Sequence, residues 1–208
     1  MGRMFDPQNS FWRGFGLVPD VLILSLMWVL FSLPVVTIGA STTALYDAVA
    51  HGIRFKEGGA VPRFWRTFKR ELPLATGSWI LWALIWGLCM FALTGYANSA
   101  EHTEQTYMFV MAGRVIMLLP TGIICWLFPL LSRFTFSFGM LNKAAVAFAI
   151  SKLPRTVLLA LSTTAAVYLC AWLWLPILFM PVALMYVWTL IIEKVFQKYI
   201  EDNKNAEA

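Results

Sequence analysis

Long apolar runs separated by short polar stretches dominate this chain. Four runs are plain, at residues 17–37, 74–96, 107–131 and 156–196. A helix needs about 20 apolar residues to cross roughly 30 Å of hydrocarbon, so each of the first three runs predicts one membrane span. The last run is too long for one span and contains Pro176 and Pro181, which favour a tight turn between two spans. Hydropathy alone therefore predicts five spans.

The basic residues are unevenly distributed among the polar stretches. Fifteen of the sixteen Lys and Arg residues fall in four stretches, whereas the loop at residues 100–105 (AEHTEQ) has two Glu and no basic residue. Loops rich in Lys and Arg stay on the cytoplasmic side of a membrane. We therefore expect the stretches at residues 55–73 and 132–155, and both termini, to be cytoplasmic.

Five spans cannot place both termini on the same side, so a sixth segment is required. Residues 38–54 supply it, as a full crossing or as a deep re-entrant helix. Hydropathy misses this segment because it is rich in small and hydroxylated residues, which permit close helix packing. The predicted small-residue face consists of Gly39, Ala40, Ser41, Ala44 and Ala48.

These patterns predict an all-α, polytopic helical membrane protein that forms a single membrane domain. About six transmembrane or re-entrant segments are expected, at residues 17–36, 38–54, 74–97, 107–131, 156–174 and 176–196. Composition agrees, since 60% of the residues are hydrophobic, 13% are charged and the mean hydropathy is +0.70. The net charge is +5, and the spans separate the basic residues that cause it from one another. We therefore expect anionic membrane lipids rather than nucleic acid as the partner of these residues.

The stretch at residues 55–73 has the pattern of an amphipathic helix, with aromatic residues at spacings of three and four and basic residues between them. Such a helix suits either the membrane surface or a docking partner. The residues expected at this cytoplasmic interface are Phe64, Trp65, Arg66, Phe68 and Arg70. Residues 132–155 have a similar layout.

Two ionisable residues are expected at membrane depth, Asp47 and Arg114. Charges at this depth are costly and usually pair, so an Asp47–Arg114 ion pair is one interpretation. Alternatively, Arg114 extends outward along its aliphatic stem, and Asp47 reaches the cytoplasmic interface near His51. A functional polar site that contains both residues is the third interpretation.

Enzyme motifs are lacking: the sequence has no phosphate-binding loop, no GxSxG and no HExxH, and only two histidines. We therefore expect a protein that is not an enzyme, with no catalytic residues, no cofactor and no metal.

The stretch SLPVVTIGASTTALYDAV at residues 32–49 and FWRTFKRELPLA at residues 64–75 resemble the YesL-like family of bacterial membrane proteins. The opening GRMFDPQNSFWRGFG resembles that family's short N-terminal motif. The family is a domain of unknown function, often encoded beside ATP-driven carbohydrate importers. The resemblance therefore implies a bacterial inner-membrane protein with an accessory role in sugar import.

Two functional hypotheses follow. In the first, the chain is an auxiliary subunit that packs against permease helices through its small-residue face and associates with the permease and ATPase of an importer. In the second, the chain is a stand-alone small-molecule transporter, alone or as a homo-oligomer, with a polar path near Asp47 and Arg114.

Overall fold

A computed structural model describes residues 17–55, 57, 59–99, 103–173 and 178–207. The described residues form helices and no strands. The α-helices are α1 (Leu17–Ser32), α2 (Ile38–Asp47), α3 (Ala60–Ser99), α4 (Glu104–Ile116), α5 (Leu118–Arg133), α6 (Phe138–Ser151), α7 (Leu153–Trp172) and α8 (Met180–Glu207). A 3-10 turn, Val35–Thr37, precedes α2, and a π-helix, Ala48–Arg54, continues it. The family-like N-terminal motif lies outside the described residues.

Four helical stretches among the described residues are long and apolar enough to cross a membrane. They are Ala60–Asn98, Glu104–Arg133, Leu153–Trp172 and Met180–Glu201. Two shorter apolar helices are Pro19–Ser32 and Phe138–Ser151. The all-α class is thus confirmed, and the long apolar helices fit a membrane protein, whereas the count of six segments and the cytoplasmic position of the termini stay predictions.

Residues 38–54, which hydropathy misses, are helical and form much of the core. They run antiparallel to the first half of α3, with Gly39 against Ala75 at one end and Gly52 against Ala60 at the other. Hydroxyl groups in this segment are bonded internally, as Thr43 Oγ1 donates to the Gly39 carbonyl at 2.9 Å. Bonded hydroxyls can be buried at little cost, so a polar composition is compatible with a core position.

The long helix α3 differs from the prediction of a separate amphipathic stretch at residues 55–73. It starts at Ala60 and continues for 40 residues, with Pro73 inside it rather than at the start of a new helix. Proline removes one backbone donor and normally bends or ends a helix. Here the side chains on both sides of it, Phe68 and Ala75, are buried in the core, and this packing holds the helix together.

Helix α5 is the core element of the second half of the chain. Trp126 is fully buried and donates a hydrogen bond from its ring nitrogen to Thr156 on α7, at 2.9 Å. Gly122 permits this close approach, since a Cβ there would lie 2.2 Å from the Thr156 methyl group. The predicted span at residues 107–131 is divided between α4 and α5 at Met117, and the predicted loop at residues 132–155 contains α6.

Candidate functional site

Asp47, the last residue of α2, is 4% exposed and is surrounded by three polar partners. Arg63 Nε donates to its two carboxylate oxygens at 3.2 and 3.3 Å, and Thr67 Oγ1 donates at 2.5 Å. Both come from α3, one turn apart. On the other side, Nδ1 of His51 lies 3.0 Å from Asp47 Oδ1. The carboxylate is thereby fixed between α3 and the π-helix.

A second ion pair joins the C-terminal half of the chain to the same place. Arg133, at the end of α5, contacts the Glu193 carboxylate of α8 through Nη2 at 2.5 Å, and the Glu193 side chain is only 1% exposed. Tyr46 donates its hydroxyl to the other Glu193 oxygen at 3.2 Å. Nη1 of Arg133 lies 3.1 Å from Nε2 of His51. We refer to Tyr46, Asp47, His51, Arg63, Thr67, Arg133 and Glu193 as the ionic cluster.

The position of His51 between the two ion pairs assigns a role to one of its ring nitrogens. Arg133 can only donate, so Nε2 of His51 accepts from it. Nδ1 faces the Asp47 carboxylate. Two carboxylates and two guanidinium groups therefore lie together, and removing any one of these charges would leave another without its partner.

The predicted ion pair between Asp47 and Arg114 is wrong. Arg114 lies in the last turn of α4 with an exposed side chain, whereas the cationic partner of Asp47 is Arg63. The error arose because the stretch containing Arg63 was assigned to the membrane surface, which removed it from the candidates. Its helical pattern did contain a signal, since Arg63 and Thr67 stand four residues apart beside the aromatic residues that face inward.

The predicted small-residue face is buried within the chain. Ala40, Ala44 and Ala48 are fully buried, and a Cβ on Gly39 would lie 2.7 Å from the Ala75 carbonyl oxygen. Ser41 is also buried and shares a 2.6 Å hydrogen bond with the Ser32 hydroxyl of α1. These residues were correctly identified as packing residues, but they pack against α3 and α1. The hypothesis that this face receives permease helices is therefore corrected.

The five predicted interface residues on α3 divide into two sets. Phe64 and Phe68 are buried, and both lie near Phe31 of α1, with ring centroids 6.2 and 4.9 Å apart. They cannot contact lipid or a partner. The exposed set is Trp65, Arg66 and Arg70. Trp65 is at the edge of this set, because its ring centroid lies 5.4 Å from that of Phe31.

No group of three or more metal-ligating side chains occurs in the part of the chain that the structure describes. A small cavity of about 120 Å³ next to the ionic cluster is lined by Glu57, Arg63 and Arg66, whereas other cavities are lined mainly by apolar side chains. One, of about 200 Å³, lies between Trp28, Cys170 and Met185, on α1, α7 and α8. The chemistry available in the described residues is therefore concentrated in the ionic cluster.

Comparison with known proteins gives one match. The family described as "Protein of unknown function, DUF624" matches residues 21–93, the part of the chain that contains Asp47, His51, Arg63 and Thr67. Neither the curated proteins nor the solved structures give a significant match. Over α1, α2, the π-helix and most of α3, this chain is thus similar to the DUF624 family of unknown function.

Proposed function

We propose that this chain is a non-enzymatic, multi-pass protein of the bacterial inner membrane that acts as an auxiliary subunit of an ATP-driven carbohydrate importer. The importer class comes from the family resemblance noted in the sequence. A subunit role is favoured over transport because each buried charge of the ionic cluster is paired with another residue of the same chain. None of these charges is left free to bind a transported substrate.

The observation that carries the proposal is the exposed apolar face on the second half of α3. Leu84, Leu88 and Phe91 are 59, 67 and 78% exposed and recur at spacings of four and three. They therefore lie on one side of the helix. Gly87 and Gly95 lie close to this face, and an added Cβ would meet nothing within 4 Å at either one. We call these five residues the α3 outer face.

The two open glycines distinguish this face from an ordinary lipid-facing surface. Glycine inside a helix costs about 1 kcal/mol relative to alanine, so it needs a compensating role. At four other positions that role is close packing: an added Cβ would lie 2.7 Å or less from another residue at Gly39, Gly52, Gly113 and Gly122. Gly87 and Gly95 have no such neighbour among the described residues and both lie in the interior of α3, so a helix of another membrane protein is the fitting contact.

The stand-alone transporter hypothesis receives less support. It required a polar path near Asp47 and Arg114, but Asp47 is enclosed by Arg63, Thr67 and His51. Arg114 is exposed on a different helix.

Purification of the tagged chain from gently solubilised native membranes tests the proposal. We expect a permease and an ATPase to be recovered with the wild-type protein and to be lost with Gly87→Leu. Gly139→Leu is the matched control: an added Cβ also meets nothing there, but this glycine lies in the first turn of α6, where an open glycine does not indicate a helix contact. Recovery of a pure homo-oligomer from native membranes would contradict the subunit role. Equal partner recovery with Gly87→Leu and Gly139→Leu would reject the α3 outer face as the contact.

A further inference from the structure

The first half of α3 exposes a basic surface with an aromatic residue at its edge. Trp65 is 40% exposed, and Arg66, Lys69 and Arg70 are exposed beside it. Lys69 is three residues from Arg66 and four from Trp65, so these three side chains are neighbours on the helix surface. The aromatic residues on the inward side, Phe64 and Phe68, are already buried, so this exposed surface is the part of the helix that is free to bind.

The positive charge of this face is largely uncompensated. Arg70 is paired with Glu71, at 2.5 Å, but Arg66 and Lys69 have no carboxylate within ion-pair distance among the described residues. Lys69 Nζ lies 4.5 Å from the centroid of the Trp65 ring, a cation–π contact that orients the ammonium without neutralising its charge. Two cationic groups three residues apart, neither paired with a carboxylate, can both reach a single anionic group.

The continuity of α3 sets the height of these residues relative to the membrane. The apolar stretch of the helix begins at Leu74, five residues after Lys69 and eight residues after Arg66. At 1.5 Å per residue these positions are about 8 and 12 Å along the helix axis from that point. The headgroup layer is roughly 5 to 8 Å thick on each side of the hydrocarbon, and long basic side chains can span the remaining distance.

From this geometry we infer that Arg66 and Lys69 bind the headgroup phosphate of an anionic phospholipid, with Trp65 positioned at the boundary of the bilayer. The phosphate lies between the two cationic groups, and the indole contacts the upper part of the acyl chains. This lipid site is independent of the proposed importer role, since it uses the opposite end of α3 from the α3 outer face.

Native mass spectrometry of the purified protein measures this binding directly. The protein in a mild detergent is titrated with phosphatidylglycerol or phosphatidylcholine, and the bound lipids are counted. We expect a preference for phosphatidylglycerol, and a loss of about tenfold in its affinity for the double variant Arg66→Gln/Lys69→Gln. Both side chains are exposed, so the thermal stability of this variant should equal that of the wild type.

The matched control is Lys143→Gln/Arg155→Gln, which removes the same charge from two other exposed positions. This control should keep the wild-type affinity. Equal losses in the two double variants would mean that lipids respond only to total charge, which overturns a defined site. The inference is also overturned if the wild type binds both lipids equally, or if Arg66→Gln/Lys69→Gln retains full affinity because the face serves an acidic protein instead.

Discussion

Nε2 of His51 lies 3.1 Å from Nη1 of Arg133, and this contact joins two distant parts of the chain. His51 belongs to the region that matches the DUF624 family, whereas Arg133 and its carboxylate partner Glu193 lie beyond it. The contact therefore connects the family-like unit to helices α5 and α8.

Loss of either member of the Arg133–Glu193 pair should destabilise the protein strongly. Arg133→Gln leaves the buried Glu193 carboxylate without its cation, and breaking a buried pair costs about 3 to 5 kcal/mol. Thermal unfolding in detergent, followed by tryptophan fluorescence, should show a clear loss for either single variant. The double variant with Glu193→Gln should lose less than the two single variants added together. Arg155→Gln is the exposed control and should unfold as the wild type does.

The identity of the Asp47 partner can be tested with two double-mutant cycles. Asp47→Asn combined with Arg63→Gln should be less destabilising than the sum of the single variants, because the two side chains are 3.2 Å apart. Asp47→Asn combined with Arg114→Gln should be additive within about 0.5 kcal/mol. Coupling in the second cycle and additivity in the first would reverse the assignment.

The acceptor role of His51 Nε2 predicts different effects for a neutral and a charged replacement. His51→Gln keeps an acceptor beside Arg133, whereas His51→Lys places an ammonium group next to that guanidinium. We expect His51→Lys to lower the unfolding temperature more than His51→Gln. If the lysine variant is the more stable one, the contact with Asp47 outweighs that with Arg133, and the acceptor role assigned to Nε2 is wrong.

Replacement by alanine should affect protein stability differently at Gly39, which is closely packed, and at Gly87, which is open. Gly39→Ala places a Cβ 2.7 Å from both the Ala75 carbonyl oxygen and the Trp79 Cβ, and should reduce the yield of folded protein. Gly87→Ala meets nothing and removes a helix-destabilising residue, so it should be neutral or stabilising by up to about 1 kcal/mol. Size-exclusion profiles and melting temperatures distinguish them. Equal effects would reject the packing described for α2 and α3.

The predicted sidedness can be tested by cysteine labelling in intact cells, after replacement of Cys89, Cys125 and Cys170. A cysteine introduced at Asn98 should react with an impermeant thiol reagent, because the adjoining loop is acidic and is expected outside. A cysteine at Asn203 should react only after lysis. Labelling of a cysteine at Gly2 in intact cells would restore the five-span arrangement.

The sequence predicted helix boundaries best where they depend only on residues of the same helix. A span was predicted to begin at residue 156, and α7 begins close to it, at Leu153, with Pro154 in its first turn. Another span was predicted to begin at residue 74, directly after Leu72-Pro73, but α3 passes through Pro73 without ending. Proline permits a helix start but does not require one, and the packing of Phe68 and Ala75 decides the outcome. That packing depends on a neighbouring helix, which local patterns do not encode.

The ionic cluster was harder to predict for the same reason. Asp47 was correctly selected as a buried charge, but its partner depends on the register between α2 and α3. Gly39 and Gly52 fix this register by close contact with α3, and neither glycine identifies its neighbour in the sequence. Glu193 lies near the end of the last predicted segment, residues 176–196, where a charge is compatible with an exposed boundary, yet its side chain is buried.

The cluster also imposes an order on assembly during synthesis. Asp47 and Arg63 are near each other in the chain, so their pair can form as soon as α3 has been made. Arg133 cannot pair until Glu193, sixty residues later, has been made. Until α8 is complete, this guanidinium remains without its carboxylate. The last helix thus completes the bundle by neutralising a charge that the earlier helices cannot neutralise.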